Sequence, residues 1–134
     1  MKQKTKILCV CAKGLNRSKY IAEYLRRKGY STKYGGLEPL IFNELDITNY
    51  LNQKKVDWAD IIIVVRKRLV GILKKNFKTK NKKIISFDIT DSKRLISEEK
   101  PEYKNLTKEQ MNKLITYPRL RKQINSLIEK GRLK

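Results

Sequence analysis

Histidine is absent from the 134 residues. Its absence removes Ser-His-Asp and Cys-His catalysis and any histidine-ligated metal site. Chemistry must therefore fall to cysteine, carboxylates, arginine, lysine and backbone amides. Cysteine is nearly as scarce: Cys9 and Cys11 stand too close together for a disulfide framework, which fits a reducing, cytoplasmic setting. Acidic residues are few, 13 against 33 Lys and Arg, for a formal charge of +20. Such a field draws polyanions and speeds their arrival without dictating fold. A plain lysine-rich, solvated surface accounts for the charge equally well. No apolar run is long enough to span a bilayer, and Met1 to Lys6 leads into a strand-like segment rather than a signal peptide. Neither a membrane nor a cofactor or metal is expected as a partner.

What is present suits one folded domain over residues 1–134, with 40% apolar residues to build its core. Short apolar runs alternate with helical patterns, the signature of βαβ units and a parallel sheet. Lys6 to Val10 reads as a buried first strand, and Arg17 to Lys28 as a helix burying Ile21, Ala22 and Leu25, with Gly29 at its stop. Ser31 to Tyr34 suits a second strand ended by Gly35-Gly36, and a weaker helical stretch spans Asn43 to Gln53 through Ile47, Tyr50 and Leu51. The clearest strand is the β-branched run Ile61 to Val65. Leu69, Val70, Ile72, Leu73 and Phe77 form a helical face, and Lys83 to Ile89 a fourth strand. Ser92 to Asn105 shows no periodicity and reads as a surface loop. Thr107 and Gln110 form a capping box ahead of Met111, Leu114 and Ile115; Pro118 interrupts; Leu120 to Ile128 marks a last helix closed by Gly131. The economical fold is α/β, a three-layer doubly wound domain around about four parallel strands in the order 2-1-3-4.

One motif carries chemistry. Cys11-Ala12-Lys13-Gly14-Leu15-Asn16-Arg17-Ser18 lies between the first strand and the first helix. A loop entering a helix N-terminus points several backbone amides inward and cradles an anion, so Ala12 to Arg17 is the expected phosphate-binding segment. The same field favours a thiolate at Cys11, the candidate nucleophile. Arg17 can grip two non-bridging phosphate oxygens, and Ser18 can donate its hydroxyl to the sulfur. Gly14 permits the left-handed backbone that a tight cradle requires.

Lys6 to Ser18, with the helix behind it, resembles the low-molecular-weight protein tyrosine phosphatase family, nearest to its short predicted microbial branch. Gly35-Gly36, Trp58-Ala59-Asp60 and Asp88-Ile89-Thr90-Asp91 match further landmarks of that branch in order and spacing, over roughly residues 4 to 92. The resemblance implies a metal-independent phosphomonoester hydrolase, a protein phosphatase working through phosphocysteine. It assigns the general acid to Asp91, with Asp88 as the second candidate and Asp60 as a structural residue. Three positions depart from the family pattern: Gly14 replaces an asparagine, Asn16 replaces a cysteine, and Asp91-Ser92-Lys93-Arg94 replaces an Asp-Pro-Tyr tract. The last removes rings that suit phosphotyrosine and sets Lys13, Lys93 and Arg94 around the mouth instead. Asn16 before Arg17-Ser18 also resembles phosphatases of the RNA polymerase II C-terminal domain. The alternatives are a loop that binds phosphate or a polyanion such as nucleic acid without turnover, and an arsenate reductase, which needs more cysteines for its disulfide relay.

Overall fold

The computed structural model describes residues 4–12, 16–37 and 50–134 of the chain. Four strands, β1 (Lys6–Cys11), β2 (Ser31–Gly36), β3 (Ile61–Val64) and β4 (Lys83–Ser86), form one all-parallel sheet in the order β2-β1-β3-β4. The register sets Cys9 between Tyr34 and Ile63, and Ile63 beside Ile85. The α-helices among the described residues are α1 (Arg17–Arg27), α2 (Gln53–Trp58), α3 (Lys67–Asn76), α4 (Lys93–Glu99), α5 (Lys108–Met111) and α6 (Tyr117–Glu129).

Side chains alternate across a strand, so each strand supplies two cores. Ile7, Cys9 and Cys11 join Ile61, Ile63 and Ile85 on one face, beneath Ile21, Ala22 and Leu25 of α1 and Leu120, Ile124 and Leu127 of α6. Leu8, Val10, Ile62 and Val64 face the other way, against Val56 of α2 and Leu69 and Leu73 of α3. The central strands are thus apolar on both sides, as buried parallel strands must be, and the layers are helix, sheet, helix. Each fully buried isoleucine or leucine contributes about 1.5–3 kcal/mol of transfer free energy. Asp60 fastens the start of β1: its Oδ2 accepts from Lys6 N–H at 3.0 Å while its own N–H donates to Lys6 O at 2.8 Å. That is the structural role expected of it.

Several boundaries differ from the sequence reading. β2 runs on past Tyr34 through Gly35 and ends at Gly36, and Leu51 packs so close that a Cβ on Gly35 would sit 3.1 Å from Leu51 Cα. Tyr50 forms an isolated parallel bridge to Gly36, so the expected Asn43–Gln53 helix is not helical at that end; its residues 43–49 lie outside the described residues. β4 stops at Ser86, and Phe87 and Ile89 continue extended, donating their N–H groups to Val64 O and Val65 O. The expected loop after Ser92 contains α4, capped by Ser92 Oγ, and a 3-10 turn at Pro101–Tyr103. Ile96 there packs with Met111, Ile115 and Tyr103 in a third, smaller core.

The Thr107–Gln110 capping box is formed in both directions. Helix α5 then runs through a π-helical turn, Asn112–Thr116, straight into α6. Pro118 does not break the helix. A proline within a helix lacks an N–H and crowds the carbonyl four residues back, and the wide turn just upstream gives that carbonyl room. The same widening rotates Leu114 out to 58% exposure, whereas 3.6-residue spacing had placed it inward. Gly29, at φ +101°, ends α1 in a conformation that side chains other than glycine's rarely adopt. No helix among the described residues is long and apolar enough to cross a membrane.

Candidate active site

β1 ends at Cys11, whose side chain is buried, and α1 begins six residues later. Cys11 Sγ lies 3.0 Å from Ser18 Oγ, itself fully buried in the first turn of α1. The thiol donates in this pairing; were the sulfur ionised, the hydroxyl could donate in return. Residues 13–15, including the expected amide donors of Lys13, Gly14 and Leu15, lie outside the described residues. Ala12 and Asn16 flank them, and both line a cleft of about 490 Å³ together with Cys11 and Arg17. The first turn of α1 carries no acidic residue and no side-chain cap. Its leading amides point along a helix dipole that favours an anion.

Arg17 is 6% exposed, yet its charge is answered by the chain beyond β4. Nη1 donates to Ile89 O at 2.8 Å, and Nε lies 3.3 Å from Asp91 Oδ1. The extended chain beyond β4 therefore runs back across the carboxyl edge of the sheet, where open α/β sheets take their ligands. Asp91 also accepts from Asn16 Nδ2 at 2.7 Å and stands 3.8 Å from Lys108 Nζ. Its side chain is 21% exposed and lines the cleft. Asp88, at 55% exposure, instead pairs with Arg66 Nε at 3.2 Å and accepts from Lys67 N–H at 3.4 Å, away from the cleft lining. Asp91, not Asp88, shares the cleft with Cys11.

The cations of the mouth differ from those expected. Lys93 and Arg94 are exposed and do not line it; Arg94 pairs with Glu98 at 3.1 Å. Arg66 and Arg68, just past the end of β3, and Lys108, opening α5, do line it. No aromatic ring does so among the described residues. Arg66 and Arg68 were findable from the sequence, since they follow the isoleucine strand at the sheet edge that binds ligands. Lys108 carries no such signal.

Asn16 is a hub. Its Nδ2 donates to Asp91 and, at 3.3 Å, to Asn112 Oδ1, while its Oδ1 accepts from Tyr117 Oη at 2.6 Å. The Tyr117 ring stacks on Tyr20 of α1, with centroids 3.9 Å apart and planes 2° from parallel. Burial, with smaller effects from Tyr20 and Asp91, raises the Tyr117 hydroxyl above its ordinary value, so it remains a donor at neutral pH. Asn112 and Tyr117, absent from the sequence reading, come from helical turns about a hundred residues downstream. Among the described residues no cluster of acidic or cysteine side chains could hold a metal ion. In comparison with known proteins, no protein-family model and no curated protein matches this chain.

Proposed function

We propose that the chain is a metal-independent phosphomonoester hydrolase that acts through a phosphocysteine at Cys11. One observation carries this reading. The Cys11 sulfur, 3.0 Å from Ser18 Oγ at the mouth of α1, shares a single cleft with the Arg17–Asp91 pair. A helix N-terminus and a guanidinium together favour an oxyanion, and both persist as charge shifts in the transition state.

In the first step the Cys11 thiolate attacks phosphorus and the ester P–O bond breaks, while the Asp91 carboxyl gives its proton to the leaving oxygen. Arg17 holds the non-bridging oxygens. In the second step water attacks the phosphocysteine and the Asp91 carboxylate takes the water's proton. The S–P bond breaks, inorganic phosphate forms, and the Ser18 hydroxyl donates to the departing sulfur. The enzyme ends as it began.

A phosphorylated protein side chain is the proposed substrate. Cationic Arg66, Arg68 and Lys108 in the lining, without an aromatic ring among the described residues, favour acidic surroundings over a bare phosphotyrosine ring. The purified protein should hydrolyse para-nitrophenyl phosphate with no metal added. Cys11→Ser should abolish turnover while retaining phosphate affinity. Turnover that persists in that variant rules out the nucleophile, and phosphate binding without turnover in the unaltered protein identifies a binding loop instead.

A further inference from the structure

The Asn16 amide is fixed by three partners at once, and its orientation follows from them. Tyr117 Oη must donate to Oδ1 at 2.6 Å, which leaves Nδ2 to donate to Asp91 Oδ2 at 2.7 Å and Asn112 Oδ1 at 3.3 Å. Rotating the amide by half a turn would set its oxygen against two acceptors. Asn16 occupies the N-cap position of α1, where an asparagine ordinarily accepts from the helix's own amides. Here it makes no such cap. Its polar capacity goes instead to the carboxylate.

The partners reach it because of the π-helical turn. In an α-helix two residues five apart point about 140° away from each other. The wider i to i+5 ring of a π turn brings them back to nearly one face. Asn112 and Tyr117 are the two ends of such a ring: Tyr117 N–H donates to Asn112 O. Both side chains consequently meet one amide. Tyr20 stacking then holds the Tyr117 ring so that its hydroxyl has one place to go.

We propose that Asn112 and Tyr117 are positioning residues, which act through the Asn16 amide to hold the Asp91 carboxyl in the cleft lined by Cys11, and that the π-helical turn exists to bring both to bear. This rests on the phosphatase reading above. Neither side chain touches the ester; each constrains the group that exchanges a proton with it. A freely rotating Asp91 would donate to the leaving oxygen in only a fraction of its conformations, and esters with poor leaving groups would suffer most.

The test uses Tyr117→Phe, which removes the hydroxyl and retains the stacking ring. Against an alkyl phosphate, kcat/KM, which reports only the step that moves the phosphoryl group to Cys11, should fall about tenfold, the worth of roughly one well-placed hydrogen bond. Against para-nitrophenyl phosphate, whose phenolate leaves with little help, kcat/KM should fall less than about twofold. In an Asp91→Asn background the same substitution should have no further effect, since the two act as a unit. Equal losses on both esters, or an additive loss on top of Asp91→Asn, would overturn the positioning role. Asn112→Ala, with its thermal midpoint recorded alongside, should reproduce the selectivity in weaker form; a drop in midpoint with no change in leaving-group selectivity also counts against it. If the unaltered protein turns over neither ester, the phosphatase reading itself has failed.

Discussion

Two residues apart on β1, Cys9 and Cys11 face the same core, yet their surroundings give them different chemistry. Cys9 lies in mid-strand with no exposure; burial, and then the neighbouring Cys11, pushes its thiol far above the usual range. Cys11 ends the strand, beside the Ser18 hydroxyl and on the wall of a cleft. Iodoacetamide should therefore add one group to the folded protein, on Cys11, and inorganic phosphate should slow the addition; peptide mass spectrometry that finds the adduct on Cys9 would contradict this. Cys9 also links stability to pH. Its folded value is raised, so the unfolded chain binds fewer protons above about pH 9, and folding weakens as pH rises beyond that point. The loss attributable to this thiol approaches about 1.4 kcal/mol per pH unit. Denaturant midpoints at pH 8 and pH 10 should thus fall further for the unaltered protein than for Cys9→Val; parallel lines would refute it.

The Cys-x5-Arg-Ser motif was legible in the sequence because every part of it is local and spaced by the chain itself. Asp91 was singled out through the family resemblance, and its place after the fourth strand agrees with the cleft that it lines. Asn112 and Tyr117 were not, because their partner Asn16 lies 96 and 101 positions away and no local pattern marks the meeting.

At the scale of elements, strands declared themselves and short helices did not. The run Ile61 to Val64 has no polar residue to confuse its burial, and both of its faces are covered. Helix α4 has seven residues, and only Ile96 among them is buried, so no period could emerge. It forms because Ser92 caps it and because Met111, Ile115 and Tyr103 arrive from downstream to cover that one side chain. Leu114 was misread for a related reason: a π turn changes the period on which the reading depends. This small third core braces the segment that supplies Thr90, Asp91, Ser92 and Lys108 to the cleft. Ile96→Ala should destabilise the protein by about 2–4 kcal/mol, the usual cost of a cavity at a fully buried isoleucine. Urea unfolding measures it. A loss below about 0.5 kcal/mol would mean that α4 is held by its cap alone.

Over the whole molecule, the net charge of +20 lies mostly on exposed lysines and arginines, where a single ion pair contributes little. Its effect is collective. A field of one sign raises the encounter rate of an oppositely charged substrate and weakens steeply with salt, whereas chemistry inside a partly closed cleft is screened much less. Arg66, Arg68 and Lys108 carry the same sign of charge to the cleft that Cys11 lines. A phosphoserine peptide flanked by glutamates should accordingly lose about tenfold in kcat/KM between 50 and 500 mM sodium chloride, with most of the loss in KM. Para-nitrophenyl phosphate carries only its own dianion past that surface, and its kcat/KM should fall several times less over the same range. Substituting Arg66 and Arg68 by glutamine should flatten the peptide's salt slope toward that of the small ester. If both substrates decline in parallel and the double substitution leaves the difference at zero, the basic surface only solvates the fold and plays no part in choosing what reaches Cys11.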